Sequence, residues 1–174
     1  IIDDMSEIDE YEKQVNVKAN IGIRMAADEE PNFEFYTSRL GVRYKDLIPF
    51  YLKKIKSNSK FELKMLHFFI NNGIKDNIYY WNELNRFVKS YCELKKVCPT
   101  LNMIDIGGGL PVKLSLNFEY DYKNIINEIV STIKRICLEN NVDMPDIFTE
   151  FGTFTVGESG AMLYTILDQK LQND

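Results

Sequence analysis

The sequence predicts an α/β fold built on a parallel sheet, and two observations carry that expectation. Four short apolar runs, at residues 17–25, 61–70, 101–106 and 147–151, have the length and continuity of strands covered on both faces. Between them lie longer segments whose apolar residues recur at three- and four-residue spacing, the period of an amphipathic helix. Strand–helix alternation of this kind is the signature of βα units. Four such units are half of an eight-stranded barrel, which usually takes ~250 residues, and a doubly wound open sheet accommodates the same pattern. Length alone does not separate the two.

Taken in order, residues 6–14 read as a helix opened by Ser6-x-x-Asp9, a weak relative of the capping box. Residues 17–25 form the first strand, with Arg24 near its end. Residues 44–56 form the next helix, with Leu47, Ile48, Tyr51, Leu52 and Ile55 on one face. Pro49 lies in its early part, so this helix is expected to begin later or to bend there. The run at 61–70 alternates and then becomes continuously apolar. Residues 78–97 place Trp81, Leu84, Val88, Tyr91 and Leu94 on one stripe. Residues 122–140 do the same with Ile125, Ile126, Ile129, Val130, Ile133 and Cys137, and Asn140-Asn141 marks the stop.

Composition narrows the functional classes. The 174 residues are 45% hydrophobic and 27% charged, values suited to one soluble domain with a good core. A formal net charge of −5 leaves no whole-chain basic field for nucleic acid. No apolar run approaches the ~20 residues of a membrane span. The three cysteines, Cys92, Cys98 and Cys137, form no C-x-x-C pair, and one histidine argues against a His-rich metal site. Reduced, buried thiols in a cytoplasmic protein are expected. Ile1 is not a natural start, so the chain is expected to begin inside a larger fold.

Chemistry concentrates where the apolar runs end. Asp105-Ile106-Gly107-Gly108-Gly109-Leu110-Pro111 ends a buried strand in three glycines. Without side chains, such residues let backbone N–H groups approach an anion and take the positive φ angles of a phosphate nest. A merely tight βα turn is the other reading, but three glycines exceed what a turn needs. The loop is not a dinucleotide fingerprint, because G-x-G-x-x-G is missing, nor a Walker loop, because no Lys-Ser/Thr follows. Glu150, beside Gly152, ends the last run. A carboxylate in an apolar strand end needs a cation or a donor, which a protonated pyridine nitrogen or a structural salt bridge would each provide. His67 reads as a satisfied core histidine. Phe69 offers a face for a flat ring or for the core, and Arg24 serves an anion or a buried carboxylate.

In order along nearly the whole chain, these residues resemble the alanine-racemase-like pyridoxal-phosphate enzymes, the group of the ornithine, diaminopimelate and arginine decarboxylases. Asp105-Ile-Gly-Gly-Gly-Leu-Pro looks like that family's phosphate-binding loop. Thr149-Glu150-Phe151-Gly152-Thr153 looks like its Glu-Pro-Gly-Arg motif, whose glutamate pairs with the pyridine nitrogen. Ile23-Arg24 resembles the arginine-bearing strand beneath the cofactor, and residues 66–73 the ring-stacking segment. Residues 64–76 and 150–159 look most like the bacterial arginine decarboxylase subgroup. Three positions depart from the pattern. Phe69 stands for a stacking histidine, Asn72 for a serine that touches phosphate, and Thr153 for the arginine of Glu-Pro-Gly-Arg.

The resemblance implies an α/β fold that is the C-terminal half of a (β/α)8 TIM-type barrel over residues 1–160. Residues 161–174 would then begin a following β-domain, with 162–169 resembling the strand that leads into it. It implies pyridoxal 5′-phosphate bound by Gly107, Gly108, Gly109, Glu150, Gly152, Phe69, Asn72 and Arg24, with no metal. The Schiff-base lysine would lie upstream of Ile1 and the catalytic cysteine downstream of Asp174, so this segment alone would be inactive. The implied whole is a cytoplasmic homodimer or higher homo-oligomer that converts arginine to agmatine and CO2 in polyamine biosynthesis. Its partner is a small amino-acid substrate, with no nucleic acid or membrane. Decarboxylation of ornithine, diaminopimelate or a carboxylated polyamine is an alternative. So are a non-catalytic homologue with a binding or regulatory role and a barrel for another phosphorylated ligand.

Overall fold

The computed structural model describes residues 1–27, 40–70, 73–74, 78–112 and 118–167. Helix α1 (Glu7–Gln14) precedes strand β1 (Ala19–Arg24). Helix α2 (Tyr44–Phe50) runs into a π-helical turn (Tyr51–Ile55) before β2 (Phe61–His67). Then come α3 (Ile78–Val97), β3 (Met103–Asp105), α4 (Tyr122–Glu139), β4 (Asp146–Phe148) and α5 (Gly152–Val156). The four strands form one parallel sheet in the order β1-β2-β3-β4. Among these strands the order never reverses, as it does at the switch point of a doubly wound sheet.

Register explains the apolar pattern. Ile23 pairs with Leu66, Leu66 with Ile104, and Ile104 with Ile147. The first three of these are wholly buried, in one core with Leu84, Val88 and Tyr91 of α3 and Ile129 and Ile133 of α4. Phe68, just past β2, stacks on Phe87 of α3 at 4.3 Å between ring centroids. The β2 sequence changes phase midway, from Phe61 and Leu63 to Leu66. A bulge absorbs the change: Ile21 pairs with Leu63 but Gly22 pairs with Met65. One extra residue in β2 therefore returns Leu66 to the face of Leu63.

The helices follow their stripes with local corrections. In α3 Leu84, Val88, Tyr91 and Leu94 are buried, as their spacing predicts. In α4 Ile125, Ile129, Ile133 and Cys137 are buried, whereas Val130 turns to solvent. Asp121 caps α4 by accepting the Asn124 N–H at 2.9 Å, and Asn141, at φ 54°, ends it. Pro49 neither delays nor ends its helix. α2 begins at Tyr44 with no late start, and the chain widens into the π turn at Tyr51, two residues past the proline. Leu47, Phe50, Tyr51 and Ile55 are buried, whereas Leu52 is exposed. The Ser6 capping box does not form. The Ser6 hydroxyl and N–H both donate to Asp4 Oδ1, at 2.6 and 2.7 Å, and Ser6 itself is helical.

All three cysteines are buried and free. No helix among the described residues is long and apolar enough to cross a membrane. Residues 161–167 are exposed and carry no regular structure, and the rest of the strand expected at 162–169 lies outside the described residues.

Leu66 lies at the centre of the buried row, and Leu163 is fully exposed. Leu66→Ala is expected to cost about 2–5 kcal/mol in denaturant unfolding, and Leu163→Ala about 0.5 kcal/mol or less. Equal effects would contradict the assignment of that row to the core.

Candidate functional site

One residue beyond the buried row, the register places a second row on the opposite face of the sheet. Arg24 pairs with His67, His67 with Asp105, and Asp105 with Phe148. These are the last residues of the four strands, so three ionisable side chains share one edge of the sheet. Glu150 follows two residues after β4. The ligating atoms of His67, Asp105 and Glu150 lie within 4.8 Å of one another, the one such group among the described residues.

The glycine loop leaves β3 at this edge and is wedged between its neighbours. The Gly107 N–H donates to Asp105 Oδ1 at 2.8 Å, and its carbonyl accepts the Glu150 N–H at 2.9 Å. Gly107 sits at φ 68°, where a Cβ would lie 2.8 Å from the Phe68 carbonyl oxygen and 3.1 Å from Phe69 Cδ2. A Cβ on Gly108 would collide with the Glu150 carbonyl oxygen. Gly109 sits at φ 104°, where a Cβ would lie 2.6 Å from Gly73 Cα. No other residue fits at these three positions without moving backbone. The Gly108 and Gly109 N–H groups donate to no described residue. Two backbone donors thus stay available at this strand end.

The charged residues divide by burial. His67 is 5% exposed, and neither ring nitrogen has a hydrogen-bond partner among the described residues. Its Nε2 lies 3.6 Å from Glu150 Oε2, just beyond hydrogen-bond reach. Burial pushes the imidazole pKa below its ordinary 6.5 against the pull of the Asp105 and Glu150 carboxylates, and Arg24 acts in the same direction as burial. Burial raises the Asp105 carboxyl above its ordinary value, while the Gly107 N–H and His67 oppose that shift and Glu150 adds to it. The Glu150 side chain is 53% exposed. The desolvation expected of it falls on His67 and Asp105 instead, because Glu150 stands beyond the sheet edge rather than within it.

The remaining candidates separate. Arg24 pairs with Asp3, at 3.5 Å, and its guanidinium lies 5.8 Å from the centroid of the half-buried Phe69 ring. Phe69 itself borders Gly107. Gly152 opens α5 with nothing within 4 Å of where a Cβ would stand, so no steric demand explains it. Asn72 lies outside the described residues. Sequence reasoning reads His67 as a satisfied core residue, gives Asp105 no role of its own and passes over Gly73. The strand-end position of Asp105, immediately before the glycines, is the available signal.

The lowered His67 pKa carries a sign. Between that value and 6.5 the unfolded chain binds more protons than the folded one, so this contribution to stability is full above 6.5 and is lost as pH falls through the folded value. The melting temperature should therefore drop on acidification from about pH 7 to about pH 5, less steeply in His67→Leu. Parallel profiles for the two proteins would contradict the burial of His67.

Comparison with known proteins identifies the family. Residues 1–157 match the family described as pyridoxal-dependent decarboxylase, pyridoxal binding domain. A biosynthetic arginine decarboxylase from Prochlorococcus marinus (strain MIT 9215) is 26% identical over 177 residues, covering 95% of this chain and 27% of that relative. The chain thus spans about a quarter of that relative's length. Among solved structures, the biosynthetic arginine decarboxylase from Campylobacter jejuni superposes with a TM-score of 0.68 at 28% identity, over 88% of this chain and 27% of that one. A diaminopimelate decarboxylase from Helicobacter pylori, complexed with L-lysine, gives 0.69 at 20% identity, over 90% and 40%. The glycine cradle, the parallel sheet and the match over residues 1–157 lead to one assignment: this chain belongs to the pyridoxal binding domain family of the pyridoxal-dependent decarboxylases.

Proposed function

We propose that the chain is the C-terminal half of a (β/α)8 barrel in a longer pyridoxal-phosphate carboxy-lyase, and that the whole enzyme converts arginine to agmatine and CO2. The observation that carries this reading is the cradle of Gly107, Gly108 and Gly109, with two undonated N–H groups at the edge where Glu150 stands. A phosphate fits such donors, and the absence of side chains lets the three residues pack against Phe68, Glu150 and Gly73 with these N–H groups left free. The buried, unpartnered His67 nitrogens and the adjacent carboxylates supply a polar floor on the same edge. The residues present therefore fit pyridoxal phosphate.

Gly108 and Gly109 would hold the phosphate through backbone N–H groups. Glu150 would meet the ring nitrogen and favour its protonated form. Phe69 would cover a ring face, a role that needs area rather than a titrating group. Arg24, tied to Asp3, would stiffen Phe69 from the other side rather than clamp an anion. Gly152 and Asn72 belong to the proposed site through the family pattern. Thr153 brings no charge to the phosphate, so its binding would depend on the cradle. When bound, pyridoxal phosphate supplies the electron-accepting ring that decarboxylation of an amino acid needs. The lysine, the cysteine and the acidic groups that select substrate would come from the rest of the enzyme, in a homodimer or higher homo-oligomer. Three buried free thiols support a cytoplasmic setting.

Phe69 and Thr153 also favour a second reading, a non-catalytic relative that keeps the fold for binding. One experiment separates the two. The full-length protein is incubated with pyridoxal phosphate, desalted, assayed for retained cofactor, then given arginine while agmatine and CO2 are measured. Retention with agmatine release is expected. Retention with turnover of ornithine or diaminopimelate alone would change the substrate. Retention without turnover of any of these would favour the binding protein, and no retention would end the pyridoxal-phosphate reading.

A further inference from the structure

We infer that His67 is a positioning residue whose imidazole holds the Glu150 carboxylate in place for the cofactor's ring nitrogen. The inference rests on the proposed pairing of Glu150 with that nitrogen. It begins from an anomaly in the fold. The chain's one histidine is 5% exposed, lies in the middle of the row Arg24–His67–Asp105, and leaves both ring nitrogens without a described partner. Native proteins seldom bury a polar group in that state without a use for it.

The missing partner is close. Nε2 is 3.6 Å from Glu150 Oε2, so a shift of less than an ångström closes a hydrogen bond. His67 cannot make that shift, because β2 pairs with a strand on each side and its carbonyl accepts the Met25 N–H at 2.7 Å. Glu150 can. Its backbone is held by Gly107, but its side chain is half exposed and reaches back over the sheet edge. The imidazole is therefore the rigid member and the carboxylate the member to be placed.

The charge state suits the task. The charged groups facing His67 are Asp105, Glu150 and Arg24, and with burial dominant the ring stays neutral near neutral pH. A neutral imidazole donates one N–H from Nε2 and so orients a carboxylate without cancelling its charge. That charge stays available to a protonated ring nitrogen. The spacing of His67, Asp105 and Glu150 would also suit a divalent cation. Two features oppose that use: Arg24 faces the same imidazole, and Asp105 Oδ1 already accepts the Gly107 N–H.

The test uses the full-length protein and four variants: His67→Leu, His67→Gln, Glu150→Gln and the His67→Leu/Glu150→Gln double variant. Pyridoxal-phosphate affinity is titrated by fluorescence, and the cofactor-free proteins are melted at neutral pH. His67→Leu should weaken affinity about tenfold, the equivalent of one hydrogen bond to a charged group. His67→Gln, which keeps an N–H donor, should recover most of the loss. In the Glu150→Gln background, His67→Leu should cost less than about twofold. Without cofactor, His67→Leu should melt no lower than wild type, because it removes two unpartnered buried nitrogens, whereas loss of a merely structural histidine would lower the melting point. Unchanged affinity in His67→Leu, or an equal loss with and without Glu150, overturns the inference and leaves the Glu150 pairing standing. Wild-type affinity in Glu150→Gln, or no binding by wild type, overturns the pairing and this inference with it.

Discussion

In-register parallel pairing of four strands does two jobs at once, and the rest of the molecule depends on both. Because successive residues on a strand face opposite ways, the row Ile23–Leu66–Ile104–Ile147 faces the helices and the next row faces away. The first row closes the core with α3 and α4. The second brings Arg24, His67 and Asp105 side by side at the strand ends, from segments far apart in sequence. A slip of one residue would exchange the rows, burying charges under the helices and taking the isoleucines out of the helix-packed core. The bulge between Leu63 and Met65 keeps the two rows distinct along β2.

The site assembled there is divided between rigid and adjustable parts. The glycine loop is rigid, since Phe68, Gly73 and Glu150 crowd the places where side chains would go. Asp105 anchors its first residue through the Gly107 N–H. His67 is equally constrained, between two paired strands and beneath the edge. Only Glu150, half exposed beyond β4, keeps freedom, and it is the group the proposed chemistry needs to aim. Two departures from the family pattern, Phe69 and Thr153, lie outside the glycine loop itself. Phe69 keeps a ring surface where a histidine is usual, and Thr153 removes a cation from α5 without touching the cradle.

Much of this was legible in the sequence, and the failures have physical causes. Among the described residues, apolar runs foretold β1 to β4 and helical stripes foretold α2, α3 and α4, because burial leaves a periodic trace. The glycines were legible as a loop at a strand end, and the positive φ of Gly107 and Gly109 and the crowding at Gly108 account for them. The bulge in β2 appeared only as an unexplained change of phase, because pairing depends on the neighbouring strand. Pro49 signalled a late start or a bend, yet the helix begins before it and passes into a π turn after it. Ser6 matched a cap pattern, but Asp4 competes for the same hydrogen bonds. His67 was misread for a similar reason: burial can be guessed from an apolar run, whereas satisfaction depends on partners from β3 and from the chain beyond β4. Glu150 was placed at the right edge but assigned too much burial, since it stands two residues beyond β4.

The most direct test is a crystal structure of the full-length protein grown with pyridoxal phosphate. The account predicts phosphate density against the Gly108 and Gly109 amides and a ring nitrogen beside Glu150, with His67 Nε2 hydrogen-bonded to the other carboxylate oxygen. A phosphate bound away from the glycine loop, or a ring nitrogen facing any group other than Glu150, would contradict it.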